Sequence, residues 1–224
     1  MGPRKTTTRE RLISTAAELF RRQGYAQTGV NQIIQEAGAT SGSFYHFFPA
    51  KEDLLLAVVD HIAGVFETEI YAAAADRTEE PLDELFEILT LYRKQLEQSG
   101  FAFASPMVAL SAEVSENHPQ VRARLAEIFA QWRGHIEDLL ESAGERLPTT
   151  PDRAALAELI LCATEGAVLG TRLNRSLEPF DSILSQLRSF FDLLGARKPE
   201  LASRAVTPRL QRAAPSHSAD WRSW

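Results

Sequence analysis

The sequence predicts an all-α protein of about nine helices in two lobes, an N-terminal helix-turn-helix and a larger C-terminal helical body. Apolar residues recur at helical spacing from Leu12 to Leu194. Glycines, prolines and cap residues separate the periodic stretches at the positions that start and stop helices. No stretch shows the alternation of a half-buried strand, and there is no internal repeat.

The first helix opens at about Thr7, where Thr7-Thr8-Arg9-Glu10 forms a capping-box pattern. Leu12, Ile13, Ala16, Leu19 and Phe20 make its core stripe, and Gly24 ends it. Residues 1–7 precede this helix and have nothing to pack against. They are expected to form a disordered basic arm carrying Arg4 and Lys5.

Thr28 to Lys51 reads as two short helices joined by a tight turn, then the start of a longer helix. Ile33, Ile34 and Ala37 mark one buried face. Ala37-Gly38-Ala39 breaks the pattern, because glycine accepts the left-handed backbone of a sharp turn. With Thr40 as N-cap, Ser41 to Phe47 is expected to turn Phe44, Phe47 and Phe48 inward. Ser41, Gly42, Ser43, Tyr45 and His46 are left outward. That is helix-turn-helix geometry, whose second helix can enter a DNA major groove.

From Lys51 a helix of about 24 residues, through Phe66 and Ile70, is long enough to link two bodies. A polar break at Asp76-Arg77-Thr78 precedes Pro81, whose missing donor costs nothing in a helix's first turn. Further helices are expected from Pro81 to Gln98, from Ser105 to Ser115, and from Asn117-His118-Pro119 to a stop at Gly144. Thr150-Pro151-Asp152 supplies a cap, a first-turn proline and an acid for a helix over 152–174. That helix is apolar almost all round and is expected to lie buried between layers. Glu158 and Glu165 interrupt it and argue against a membrane span. A last helix, Pro179 to Leu194, carries Phe180, Ile183, Leu184, Leu187, Phe190 and Phe191. Pro199, Pro208 and Pro215 recur without periodicity in a tail, 196–224, expected to be disordered.

The 224 residues are 44% hydrophobic and 24% charged, which suits a sizeable core. Net charge is −6, unfavourable for a nucleic-acid partner until its distribution is considered. Residues 1–51 hold seven Lys/Arg against three acids, a net +4. The tail is also +4, leaving −14 for the middle. A basic head on an acidic body is the asymmetry expected when one domain meets phosphates. Enzymatic activity is not expected. There is no Gly-rich phosphate loop, GxSxG or HExxH. The five histidines are scattered, so no metal or other cofactor is expected. A single cysteine, Cys162, excludes an intramolecular disulfide and points to a reducing cytoplasm. The polar, basic N-terminus has no apolar segment behind it, so a secretory signal is not expected.

The run Ala37 to Leu54, AGATSGSFYHFFPAKEDL, resembles the TetR family of bacterial one-component repressors. The likeness lies in the small-Gly turn, the hydroxyl cap, the Gly-hydroxyl-apolar-Tyr helix, the aromatic pair and the Lys-acidic pair. It implies a DNA-binding domain over 8–52 and a ligand-binding and dimerisation domain over 53–195. It further implies phosphate contacts from Thr28, Tyr45 and Lys51, and a minor-groove role for Arg4 and Lys5. Base reading falls to Ser41, Gly42, Ser43 and His46. Gly29 and Ala50 depart from the family pattern where a capping residue is usual, at a cost in capping energy of roughly 0.5–1 kcal/mol for Ala in place of a good cap.

More loosely, Gly100 to Leu110, Glu113, His118-Pro119, Trp132, Glu165-Gly166-Ala167, Arg172 and Ser176 to Pro179 resemble one branch of that family. Its members respond to lincomycin-type antibiotics and flavonoids. A mostly apolar pocket is expected, lined by Phe66, Met107, Phe129, Trp132, Cys162 and Glu165. A carboxylate such as Glu165 must find a partner or stay protonated. Arg172, another side chain or a ligand hydroxyl could serve. Gly166 and Gly170, four apart on one helix face, are expected at a homodimer interface with Leu187, Phe190 and Phe191. A two-fold dimer predicts a palindromic operator. The expected function is a cytoplasmic homodimeric repressor that binds double-stranded operator DNA and is released by a small apolar or aromatic inducer. The alternative is a helical adaptor or ligand-binding protein that does not bind DNA.

Overall fold

The computed structural model describes residues 6–105, 108, 110, 111, 118–149 and 151–196, and these form eight helices and no strand. Arg4, Lys5, Met107, Glu113 and residues 197–224 of the tail lie outside the described residues, as does most of the helix expected over 105–115; Ala196, placed in the tail by the sequence, is the last residue of a helix. Within that stretch Val108, Leu110 and Ser111 are helical.

Three short helices and the start of a fourth build the head. Helix α1, Thr8–Gln23, begins with the expected capping box: the Glu10 N–H donates to Thr7 Oγ1 at 3.1 Å, and the Thr7 N–H donates to Glu10 at 2.7 Å. Leu12, Ile13, Ala16, Leu19 and Phe20 are buried, and Gly24 stops the helix at φ 84°. Helix α2, Val30–Glu36, starts at Gly29 without a side-chain cap and buries Ile33 and Ile34. The Gly38 turn, φ 59°, leads to α3, Ser41–Phe47. Phe44 and Phe48, four residues apart, face the core. Phe47 does not: it is 36% exposed, because its position rotates it towards the outward face shared with His46.

Helix α4, Lys51–Phe66, packs Leu54, Leu55, Val58 and Val59 against α1 and continues into the larger lobe. Ala50 lacks a capping side chain, and Asp53 instead accepts the Ala50 N–H at 2.8 Å. The helix does not end at Phe66. It passes through a π turn, Glu67–Ala72, and one more α turn, Ala73–Ala75. The extra residue in that turn is invisible to apolar periodicity.

Four helices complete the larger lobe: α5, Pro81–Gln98; α6, Pro119–Ser142; α7, Arg153–Asn174; and α8, Glu178–Ala196. Asp152 caps α7, accepting from the Ala154 and Ala155 N–H groups, while Thr150 lies outside the described residues. Pro151 therefore precedes the helix. Helix α7 packs on α6 along one side and on α8 along another, while α4 and α5 pack against α6. By length and composition alone α7 could cross a membrane. Its expected burial on all sides is not what forms. Leu159, Leu169 and Leu173 are 50–75% exposed along its remaining face.

The junction of head and body is specific. His118, the residue before α6, meets the Tyr25 ring edge-on at 5.2 Å and lies 3.3 Å from Glu52. Arg124 donates to Asp60 at 2.7 Å. Both links join α6 to α4 or to the turn after α1.

Candidate nucleic-acid interface and sensor core

Thr40 and Ser43 build the start of α3 by mutual capping. The Ser43 N–H donates to Thr40 Oγ1 at 3.1 Å, and the Thr40 N–H donates to Ser43 Oγ at 3.0 Å. Ser43 Oγ also donates to the Thr40 carbonyl at 2.8 Å. Ser43 is thereby half-buried and committed to the cap rather than presented as a reader. Ser41, Gly42, Tyr45 and His46 do lie outward as expected, with Tyr45 58% exposed and its ring held edge-on against Phe44. Phe47 joins that face as a member the sequence reading turned inward.

Two expected phosphate ligands are held within the protein. Thr28 is 1% exposed; its hydroxyl donates to the Gly24 carbonyl at 2.7 Å and accepts from Gln23 Nε2 at 3.2 Å. Its N–H donates to the Tyr25 carbonyl. Thr28 is a strut for the α1–α2 turn, with no hydroxyl facing solvent. Lys51 Nζ donates to the Tyr25 carbonyl at 2.6 Å and sits 4.0 Å from the centre of the Tyr25 ring. A charge-assisted hydrogen bond and a cation–π contact thus tie the start of α4 to the same turn. Arg11 likewise donates to the Ala37 carbonyl at the end of α2, and Arg9 lies over the Phe48 ring. Part of the head's positive charge holds the three helices in register.

In the larger lobe, Phe66 is the centre of an aromatic cluster. Phe103 stacks on one side and Trp132 on another, both at 4.9 Å, while Tyr92 meets it edge-on at 5.0 Å. Beside the cluster lies a cavity of about 20 Å³ lined by Phe66, Tyr71, Tyr92, Trp132, Leu161 and Glu165. Glu165 is the polar end of this space. The Ser105 hydroxyl donates to its carboxylate, the Ser105 N–H donates to Tyr92 Oη at 3.1 Å, and the Val108 N–H donates to Ser105 Oγ at 3.2 Å. Burial pushes the Glu165 carboxyl up to about 7, with the Ser105 bond opposing that rise. The phenols of Tyr71 and Tyr92 are pushed up too, first by burial and then by Glu165. Of the three partners open to Glu165 in the sequence, another side chain is the one it takes.

The structure brings together Phe66, Trp132 and Glu165 and separates Phe129 and Cys162 from them. Phe129 lines a surface groove with Arg122, Leu125 and Arg133. Cys162 is exposed on α7, 3.6 Å from Glu158; partial burial and that carboxylate push its thiol up. Tyr71, Tyr92, Phe103 and Ser105 were not singled out. Tyr71 reaches the cavity through the π turn, and Phe103 and Ser105 lie in an aperiodic segment after α5.

The proposed dimer residues divide in the same way. Leu187 and Phe191 are buried in their own chain, Phe191 edge-on against Phe86. Phe190 is half-buried beside Phe191. Gly170 does permit a close approach, but to Pro179 of the same chain: a Cβ there would lie 3.1 Å from the proline. Gly166 is exposed with open space around it. What α7 presents outward is the stripe Leu159, Cys162, Gly166, Leu169 and Leu173, spaced as one helix face.

The chain matches known proteins over both lobes. The model for bacterial regulatory proteins of the tetR family matches residues 12–58. That for the C-terminal domain of LmrA/YxaF-like transcriptional regulators matches residues 81–186. An uncharacterized HTH-type transcriptional regulator of Mycobacterium tuberculosis is 35% identical over 198 residues, covering 86% of this chain and 96% of that protein. The HTH-type transcriptional regulator LmrA of Bacillus subtilis is 30% identical over 179 residues, covering 79% and 93%. The crystal structure of regulatory protein TetR from Rhodobacter sphaeroides superposes with a TM-score of 0.73 at 27% identity, over 83% of this chain and 97% of that one. With a helix-turn-helix head, a helical body and relatives matched along nearly their whole length, this chain belongs to the TetR family of transcriptional regulators.

Proposed function

We propose that the protein is a homodimeric repressor that grips a palindromic operator with two copies of α3. A small, mostly apolar or aromatic ligand entering the core around Phe66, Trp132 and Glu165 releases it. The observation that carries this reading is the outward face of α3. Ser41, Gly42, Tyr45, His46 and Phe47 are exposed on a rigid, capped helix of a basic head. Tyr45 offers a phenol to phosphate, His46 a donor to phosphate or a guanine acceptor, and Phe47 an apolar contact for a thymine methyl. Ser41 and Gly42 read little, which assigns much of the specificity to DNA shape and half-site spacing. Arg4 and Lys5 fit a minor-groove arm on charge alone.

Dimerisation fits the α7 stripe, which includes the expected Gly166, better than Gly170, Leu187, Phe190 and Phe191. An exposed leucine seam at three-and-four spacing on a helix flanked by two others resembles half of a bundle interface. Coupling runs along α4. Its first residues, Lys51 and Glu52, hold Tyr25 and His118 at the head, while its π turn brings Ile70 and Tyr71 to the cavity. A ligand that favours one arrangement of this helix changes the distance between the two α3 helices.

Footprinting on DNA upstream of the gene tests the reading. Two protected half-sites related by a dyad are expected, with centres about 10 bp apart or a multiple of that. Protection of one undivided, asymmetric site would contradict it.

A further inference from the structure

A second cavity, of about 230 Å³, lies where the head meets the body. Apolar walls come from Ala17 and Phe20 of α1, Val58 and Val65 of α4, and Phe103 beyond α5. Its charged rim holds Glu18, Arg21, His61 and Arg172. Glu18 and Arg21 neutralise each other in an ion pair one helical turn apart. Arg172, half-buried on the last turns of α7, makes no hydrogen bond or ion pair with any described residue. A guanidinium at the edge of an apolar cavity, beside a histidine and a neutralised pair, is a receptor for a carboxylate.

We propose that this cleft is a binding site for a small apolar monocarboxylate, aromatic or branched, with its carboxylate on Arg172 and its apolar part between α1 and α4. The two cavities sort ligands by charge. Glu165 makes the inner one unfavourable for an anion, and at about 20 Å³ it has room for no more than a water without rearrangement. The cleft is an order of magnitude larger and its net rim charge is positive. The site goes beyond the release mechanism above and does not depend on it. Its walls belong to both lobes, so an occupant touches the head directly, whatever the inner cavity holds.

The test uses the full chain and 2-naphthoate as probe, with 2-naphthamide as its uncharged counterpart. Naphthoate is expected to bind at least about tenfold more tightly than the amide, the worth of one charge-assisted hydrogen bond. Arg172→Gln should remove that preference and Arg172→Lys restore part of it. Amide NMR shifts on binding should centre on Val58, Ile62 and Val65. Should Arg172→Gln fold poorly, Ala17→Leu, which narrows the cavity and keeps the charge, should weaken both probes alike. Equal binding of the two probes, no binding of naphthoate, an unchanged preference in Arg172→Gln, or shifts centred on Ile136 and Leu161 would each overturn the proposal.

Discussion

Replacing Glu165 with Gln should change how stability depends on pH. The folded carboxyl titrates at about 7 against an ordinary 4.5, chiefly because burial opposes its charge. A group with a raised folded-state pKa holds its proton more tightly when folded than unfolded. Its stabilisation is therefore complete below about pH 4.5, declines as pH rises, and is gone above about 7. At 1.36 kcal/mol per unit, the full displacement is worth about 3 kcal/mol per chain. Residual solvent at the site brings the expected loss to about 2–3 kcal/mol. Tyr71 and Tyr92 stay neutral throughout this window, so they add nothing to the slope. Glutamine can still accept the Ser105 hydroxyl and cannot ionise. Urea unfolding of both proteins should give similar stabilities at about pH 4 and a variant more stable by about 2–3 kcal/mol at about pH 8. Parallel profiles, or a wild type that gains on the variant as pH rises, would refute the placement of this carboxyl in an apolar core.

Thr28→Val should cost about 1–2 kcal/mol of stability by leaving the Gly24 carbonyl without its hydroxyl partner; a phosphate ligand would instead lose DNA affinity with stability unchanged. Lys51→Ala should destabilise by about 1–3 kcal/mol in thermal unfolding, since it removes both the Tyr25 hydrogen bond and the ring contact. If the α7 stripe is the proposed dimer seam, wild type should sediment as a dimer and Leu169→Glu as a monomer in sedimentation velocity. Leu187→Ala should leave the association state of wild type unchanged and lower stability by about 2–5 kcal/mol, as expected for a residue buried in its own chain.

Local chemistry was the most legible part of this sequence. Thr7 and Glu10 cap α1 from three residues apart, and Gly24 and Gly38 mark turns that require a positive φ. Where a side chain's role depends on a distant element, the residues alone did not decide it. Phe47 is as apolar as Phe44 and Phe48, and only the docking of α3 on α1 shows which two of the three face inward. Thr28 needs the turn after Gly24 before its hydroxyl has an internal acceptor. In α7 and α8 the apolar positions outnumber those that one core can bury. Periodicity could not separate Leu187 and Phe191, which face their own chain, from Leu169 and Leu173, which do not. The inner cavity was half visible because Phe66, Trp132 and Glu165 sit on long helices. Ser105 read only as the start of a helix and Phe103 as part of the stretch before it, so neither pointed to the cavity, and Tyr71 arrives there through a π turn.

In the proposed function the exposed face of α3 meets operator DNA. Electrophoretic shift of a fragment from the promoter beside the gene, by wild type and by a Tyr45→Ala, His46→Ala double variant, tests it most directly. Both residues are exposed, so the double variant should unfold within about 1 kcal/mol of wild type. Wild type should shift the fragment with an affinity that falls steeply as salt rises, and the double variant should bind at least about tenfold more weakly. Failure of wild type to shift any palindrome in that promoter, or equal binding by the double variant, would rule out α3 as the DNA-reading helix.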